Sequence, residues 1–165
     1  MDRTELRALQ TPLKERYAED PDAAVVTLSA RGSLDDGIAC SVQTGRALAT
    51  AGLHPAGGGD GTLLCSGDML LEALVACAGV TLRAVATSMG LDVRGGSLQA
   101  DGDLDFRGTL GVDRDAPVGF REIRVRVDLD TDAGDDDVAT LLRLTERYCV
   151  VLQTITAGTP VRLLR

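Results

Sequence analysis

The sequence predicts an α+β fold. Three observations carry that reading. The segment FREIRVRVDLD alternates apolar and charged residues, residues 66–86 form a long apolar run, and the elements follow the order strands, long helix, strands, helix, strand. In the alternating segment Ile123, Val125, Val127 and Leu129 share one face and Arg124, Arg126 and Asp128 the other. That period of two implies an antiparallel sheet with one wet face. The arginines on it are read as solvated, with contact to a partner subunit as the other option.

Taken in order, Thr4 to Tyr17 reads as a short surface helix that ends near Pro21. AAVVTLSAR reads as a strand, GSLDDG as a turn, and IACSVQT as a second strand in which Ile38, Cys40 and Val42 alternate with Ala39, Ser41 and Gln43. Cys40 there is read as core packing. GRALATAG makes a third strand, followed by the glycine-rich loop LHPAGGGDGT. That loop carries neither G-x-G-x-x-G nor a P-loop lysine, so no cofactor is expected at it. The long helix runs from about Asp68 to Met89, with Ser66 as its N-cap and Gly90 just past its end. Its middle is apolar nearly all round, which marks a helix buried between layers. LDVRGGSLQADGDLDFRG reads as two strand pieces with a Gly-Gly break. After the acidic turn TDAGDDD a second long helix keeps an apolar stripe from Val138 through Leu141, Leu142, Thr145, Tyr148 or Cys149, and Leu152 to Ile155. Gly158 and Pro160 stop it, and VRLL is expected to close the chain as a strand.

Composition excludes several classes of function. Aromatic residues are 2% of the chain and Trp is absent, which argues against base-stacking nucleic-acid platforms. A net charge of −8 argues equally against a phosphate-backbone binder. No uncharged apolar stretch reaches the roughly 18–20 residues of a membrane span, so no membrane partner is expected. The N-terminal segment MDRTELRALQTPLKERYAEDPD is charged and lacks an apolar core, so a cytoplasmic location is expected. The four cysteines, Cys40, Cys65, Cys77 and Cys149, form no C-x-x-C pair, and His54 is the single histidine. Metal binding is therefore not expected, and the thiols are read as reduced at rest.

Cys77 and Cys149 stand out by context. They are 72 residues apart, each within a predicted long helix. On a helical wheel Cys77 shares its face with Leu70, Ala73, Leu74, Thr81 and Ala84. Cys149 lies on or beside the stripe of the second helix. Two helices that must bury such faces beside one sheet tend to pack together, which would bring the sulfurs close.

SGDMLLEALVACAGVTLRAVA followed by ERYCVVLQTITAGTPV resembles the OsmC/Ohr family of thiol-dependent peroxidases, and TGRALATAGLHPAGGGDG resembles the strand and glycine loop that precede the helix in relatives. The likeness divides the chain into an N-terminal helical extension, residues 1–22, and an OsmC-like domain, residues 23–165. The resemblance implies an antiparallel or mixed sheet with two long central helices, in an intertwined homodimer. It implies that Cys77 attacks an organic hydroperoxide as a thiolate, that Cys149 resolves the resulting sulfenic acid as a disulfide, and that a small dithiol or lipoyl-type reductant reopens it.

In the family an arginine and an acidic residue hold the thiolate. Asp68 falls where many relatives have glutamate, and its other reading is a first-turn acid that favours the helix dipole. Arg46, in QTGRA, is the expected arginine, with Arg31, in SARGS, as the alternative; either could equally be a structural or solvated arginine. Glu72 departs from the family pattern and is read as an ion-pair partner near Asp68 and Arg83, ahead of a catalytic role. Cys65 is read as a packed loop thiol, or else a third redox sulfur. His54 is read as a loop residue. An apolar pocket of Leu70, Leu74 and Val150 would favour fatty or aryl peroxides. The other reading of the whole chain is a non-catalytic dimer of the same fold that binds an apolar ligand or senses redox state.

Overall fold

The structure, a computed structural model, describes residues 2–5, 8, 11, 19, 31–34, 39–43, 48–111 and 113–165. The first helical residues are 3–5, one residue earlier than expected. A reciprocal capping box sets that start: the Asp2 amide donates to Glu5 Oε2 and the Glu5 amide to Asp2 Oδ1, each at 2.8 Å. Most of the rest of the expected Thr4–Tyr17 helix lies outside the described residues.

Four strands form one sheet in the order β1 (Arg31–Leu34), β2 (Ala39–Gln43), β3 (Leu48–Gly52) and β4 (Leu64–Cys65). β1 and β2 pair antiparallel with Leu34 opposite Cys40, and β2 and β3 antiparallel with Ala39 opposite Gly52. β4 joins β3 in parallel, Gly52 opposite Cys65. The sheet is therefore mixed. The expected first strand, AAVVTLSAR, lies outside the described residues apart from Arg31, where β1 begins. Part of the expected turn GSLDDG is strand instead. Cys40 lies in β2, its side chain outside what is described.

The loop after β3 closes on a single 3-10 turn, Pro55–Gly57. His54 caps it: its Nδ1 accepts from the Ala56 amide at 3.0 Å, and its ring stacks on Phe106 with centroids 5.1 Å apart. The histidine thus has a structural task, in keeping with its reading as a loop residue.

Helix α1 spans Ser66–Met89, so Ser66 is its first residue and not its N-cap. Its end follows the expected design. Gly90 adopts φ +76°, the Leu91 amide bonds the Ala86 carbonyl at 3.0 Å and the Gly90 amide bonds that of Thr87 at 3.2 Å, a Schellman ending. β5 (Val93–Leu104) and β6 (Phe120–Thr131) form a second, two-stranded sheet. Arg94, early in β5, pairs with Asp130, late in β6; Asp103, late in β5, pairs with Arg124, early in β6. The two strands therefore run antiparallel. Arg124 also meets Glu122, so this arginine of the wet face is engaged in an exposed ion-pair ladder that sets register more than it adds stability.

No break divides β5. At Gly96 (φ +149°) a Cβ would sit 2.3 Å from the Asp128 carbonyl oxygen, so the glycine admits the close approach of β6 and does not end the strand. A short helix, α2 (Phe106–Thr109), follows with Asp105 as its N-cap.

The second long helix is two helices, α3 (Asp135–Tyr148) and α4 (Val150–Thr156). The VRLL segment is not a strand in this chain: residues 157–165 have no regular structure, and Val161, Leu163 and Leu164 are exposed. By length and composition alone α1 could cross a membrane, but Leu74, Ala78, Leu82 and Ala86 form a buried stripe along it.

The described chain divides into two compact units. One comprises Met1–Val26, Leu74–Gln99 and Arg126–Arg165, the other Thr27–Ala73 and Ala100–Val125. The core of the first joins Leu82 and Ala86 of α1, Val93 of β5 and Leu141 of α3, with Val127 and Leu129 of β6 packed against them. Leu141 has no solvent exposure. Leu141→Ala is expected to lower the unfolding free energy by about 2–5 kcal/mol through lost burial and the cavity left behind, read by chemical denaturation.

Candidate active site

The residues ERYCVVLQT contain neither glycine nor proline, yet the helix stops and restarts within them. Cys149 is the only residue between α3 and α4, with an extended backbone (φ −72°, ψ 109°). Its amide still bonds the Thr145 carbonyl and its carbonyl still accepts from Gln153, both at 2.9 Å. The interruption thus costs few hydrogen bonds. It does create a new helix start, whose first amides have no acceptor within their own helix.

Those amides serve sulfur. Around Cys77, in the middle of α1, the Val151 and Val150 amides, the Cys149 thiol and the Thr81 hydroxyl all favour the ionised sulfur. Cys149 accepts from the Leu152 and Val151 amides. The two thiols each act on the other's ionisation, and both are free.

Burial is the largest influence on Cys77 and opposes ionisation. The amides of Val151 and Val150, the Cys149 thiol and the Thr81 hydroxyl together outweigh it, and the thiol is held below its ordinary value. For Cys149 the balance runs the other way. Its exposure is 0%, burial pushes its thiol up, and the hydrogen bond to Cys77 and the charge of the Cys77 thiolate push it further. The Leu152 and Val151 amides offset only part of this. In the coupled pair the first proton is lost from Cys77, which is half-exposed, while Cys149 stays a neutral, buried donor.

The remaining predicted residues lie elsewhere. Asp68 stands exposed in the first turn of α1. Nine residues of regular helix carry it about 13.5 Å along the axis and to the face opposite Cys77. Glu72 is exposed one turn further on, and no ion pair is recorded for it among the described residues. Arg46 lies outside the described residues, and Arg31 opens β1 with its side chain outside what is described. Cys65 is half-buried at the end of β4, its sulfur 3.5 Å from where a Cβ on Gly67 would stand, which suits a packed thiol. Leu74 is buried in the core, whereas Leu70 and Val150 are exposed. Among the described residues no cluster of histidine, cysteine or acidic side chains could hold a metal.

Sequence reasoning missed the main-chain donors. A helix restart leaves no mark in residue types when a cysteine, not glycine or proline, occupies the joint. Thr81 was visible on the face of Cys77 but unassigned.

This geometry predicts unequal reactivity. In the native protein at pH 7, iodoacetamide is expected to label Cys77 well ahead of Cys149, with a midpoint for Cys77 below the roughly 8.5 of a free thiol. Peptide mass spectrometry across pH reads both sites, and equal rates would contradict the assignment.

Comparison with known proteins agrees with this architecture. The family described as OsmC-like protein matches residues 58–164. No curated protein matches the sequence. Among solved structures, an OsmC-like protein from Mycoplasma pneumoniae superposes with a TM-score of 0.67 at 15% identity, covering 81% of this chain and 89% of that one. An organic hydroperoxide resistance protein from Elizabethkingia anophelis, with crystallant-derived thiocyanate bound, gives 0.64 at 12% identity, covering 81% and 91%. An organic hydroperoxide resistance protein OsmC from Legionella pneumophila gives 0.60 at 15% identity, covering 80% and 90%. At these identities the likeness is one of fold. With the family match covering well over half its length, this α+β chain belongs to the OsmC-like protein family.

Proposed function

We propose that the chain is a thiol peroxidase that reduces organic hydroperoxides to alcohols. One observation carries the reading: two free thiols that shift one another in opposite directions, Cys77 down and half-exposed, Cys149 up and buried. The names of the Elizabethkingia and Legionella neighbours point the same way.

In the proposed reaction the Cys77 thiolate attacks the terminal oxygen of the hydroperoxide. The O–O bond breaks, the alkoxide leaves and takes a proton to become the alcohol, and Cys77 becomes a sulfenic acid. The Cys149 thiol then attacks the Cys77 sulfur and water departs, leaving a disulfide. A small dithiol, of the lipoyl type among others, reopens it by exchange, supplying the two electrons and leaving as its own disulfide. The neutral state of Cys149 suits a group that must wait until the sulfenic acid exists.

The rim of the site supports a substrate with a hydrocarbon tail. Val80, one turn from Cys77, is 73% exposed, and Tyr148 and Val150, on either side of Cys149, are 58% and 69% exposed. Apolar side chains in such positions reward burial by a tail or by a second subunit. The same exposure, with that of Val161, Leu163 and Leu164, supports a homodimer that covers apolar surface the single chain leaves open.

The position of Asp68, on the face of α1 away from Cys77, favours a second reading, a dimer of this fold that binds an apolar ligand or senses redox state without turnover. Steady-state peroxide consumption separates the two. Cys77→Ser is expected to abolish reduction of cumene hydroperoxide. Cys149→Ser is expected to allow one turnover and leave a sulfenic acid that a dimedone reagent traps. Hydrogen peroxide is expected to be the poorer substrate of the wild type. Undiminished turnover by Cys77→Ser would end the peroxidase reading.

A further inference from the structure

We propose that Gln153 is a positioning residue for Cys149: its side-chain amide bridges the joint between α3 and α4 and holds the broken form of the helix in which that thiol is buried. The inference deepens the peroxidase reading, and rests on it for what Cys149 does once Cys77 is oxidised.

A helix that continued through residue 149 would bond the Val150 amide to the Glu146 carbonyl, four residues back. Nothing in ERYCVVLQ forbids that course, since the segment has neither glycine nor proline. With Cys149 extended, the main-chain bonds across the joint run from the Cys149 amide to Thr145 and from the Gln153 amide to Cys149. Among the described residues none joins Val150 to Glu146. The Glu146 carbonyl takes a different donor. Gln153 Nε2, on α4, donates to it at 2.9 Å, back across the joint to the last turn of α3.

This bond tells the two forms apart. In an unbroken helix the Cα atoms of residues seven apart lie about 10.5 Å from one another along the axis, beyond the span of a glutamine side chain, and the Glu146 carbonyl is already taken. The bridge therefore exists only in the broken form and biases the chain toward it by the worth of one hydrogen bond. The hydroxyl bonds of Thr154 to Val150 and Thr156 to Leu152 stay within α4 and do not cross the joint. What the bridge positions is Cys149, the joint residue itself, with 0% exposure. Gln153 is exposed, so replacing it leaves the core untouched.

The test has two arms, both on the full chain. In the first, every protein carries Cys77→Ser, so that label on Cys77 cannot disturb its neighbour. Alkylation of Cys149 and Cys65 by iodoacetamide is then read by peptide mass spectrometry. Gln153→Leu and Gln153→Ala remove the donor, whereas Gln153→Lys keeps one at similar reach. The Leu and Ala variants are expected to label Cys149 about two- to tenfold faster, with the Lys variant following its parent. Cys65, in the other compact unit, is expected to keep its rate in all of them. Unchanged Cys149 labelling in the Leu and Ala variants overturns the proposal. So does a Lys variant that behaves like them, or a rise at Cys65 in step with Cys149, the mark of general loosening. In the second arm Cys77 is intact and cumene hydroperoxide is in excess. Each Cys77 sulfenic acid either condenses with the Cys149 thiol, losing water, or is oxidised by a second hydroperoxide to the sulfinic acid, releasing a second alcohol. The Leu and Ala variants are expected to move that ratio toward sulfinic acid by a similar factor, and the Lys variant to leave it alone. An unmoved ratio in a protein that forms the disulfide overturns the proposal. If the wild type consumes no hydroperoxide while the first arm gives the expected labelling, Gln153 keeps its role in placing the thiol and the peroxidase reading is removed.

Discussion

The interruption of the C-terminal helix at Cys149 is the constraint on which the site depends. An unbroken helix through this position would bind the amides of Val150, Val151 and Leu152 to carbonyls behind them, leaving nothing to offer sulfur. With one extended residue inserted, the flanking bonds of Cys149 to Thr145 and Gln153 survive and three amides are released. The same residue that breaks the helix supplies the second thiol, so donor placement and sulfur placement are one structural event.

Burial then separates the two thiols. Both are penalised for charge by their apolar surroundings, and the difference lies in what offsets the penalty. Cys77 receives two amides, a hydroxyl and a thiol; Cys149 receives two amides but faces a neighbour that carries the negative charge. The pair shares one favourable site for an anion, and Cys77 takes it. No arginine is recorded among the groups acting on Cys77 in the described residues, so the lowering recorded there arises from hydrogen bonds.

Much of this architecture was legible in the sequence, for identifiable reasons. The strand at 120–131 announced itself because alternating arginines and β-branched residues admit no helical reading. Gly90 marked the end of α1 because a positive φ there suits glycine. The departures share a cause: at these positions a tertiary contact, not the local effect of the residue type, decides the structure. Gly95 and Gly96 resembled a break, but close approach of the Asp128 carbonyl explains the glycine at 96. The stripe from Val138 to Ile155 kept its period across the joint because one extended residue hardly disturbs the spacing of the apolar side chains. VRLL has the composition of a strand, and among the described residues no strand takes it. Cys77 and Cys149 were singled out by their helices and by family resemblance; the donors that differentiate them belong to the main chain, which residue identity does not report.

The account stands on Cys77 and Cys149 forming one chemical unit. The most direct measurement is to treat the reduced wild-type protein with one equivalent of cumene hydroperoxide, quench in acid, and map the linkage by peptide mass spectrometry. The account predicts a single cross-link between the Cys77 and Cys149 peptides, with Cys40 and Cys65 still thiols. A bridge through Cys65 or Cys40, or Cys77 oxidised to the sulfinic acid beside a free Cys149 thiol, would contradict it.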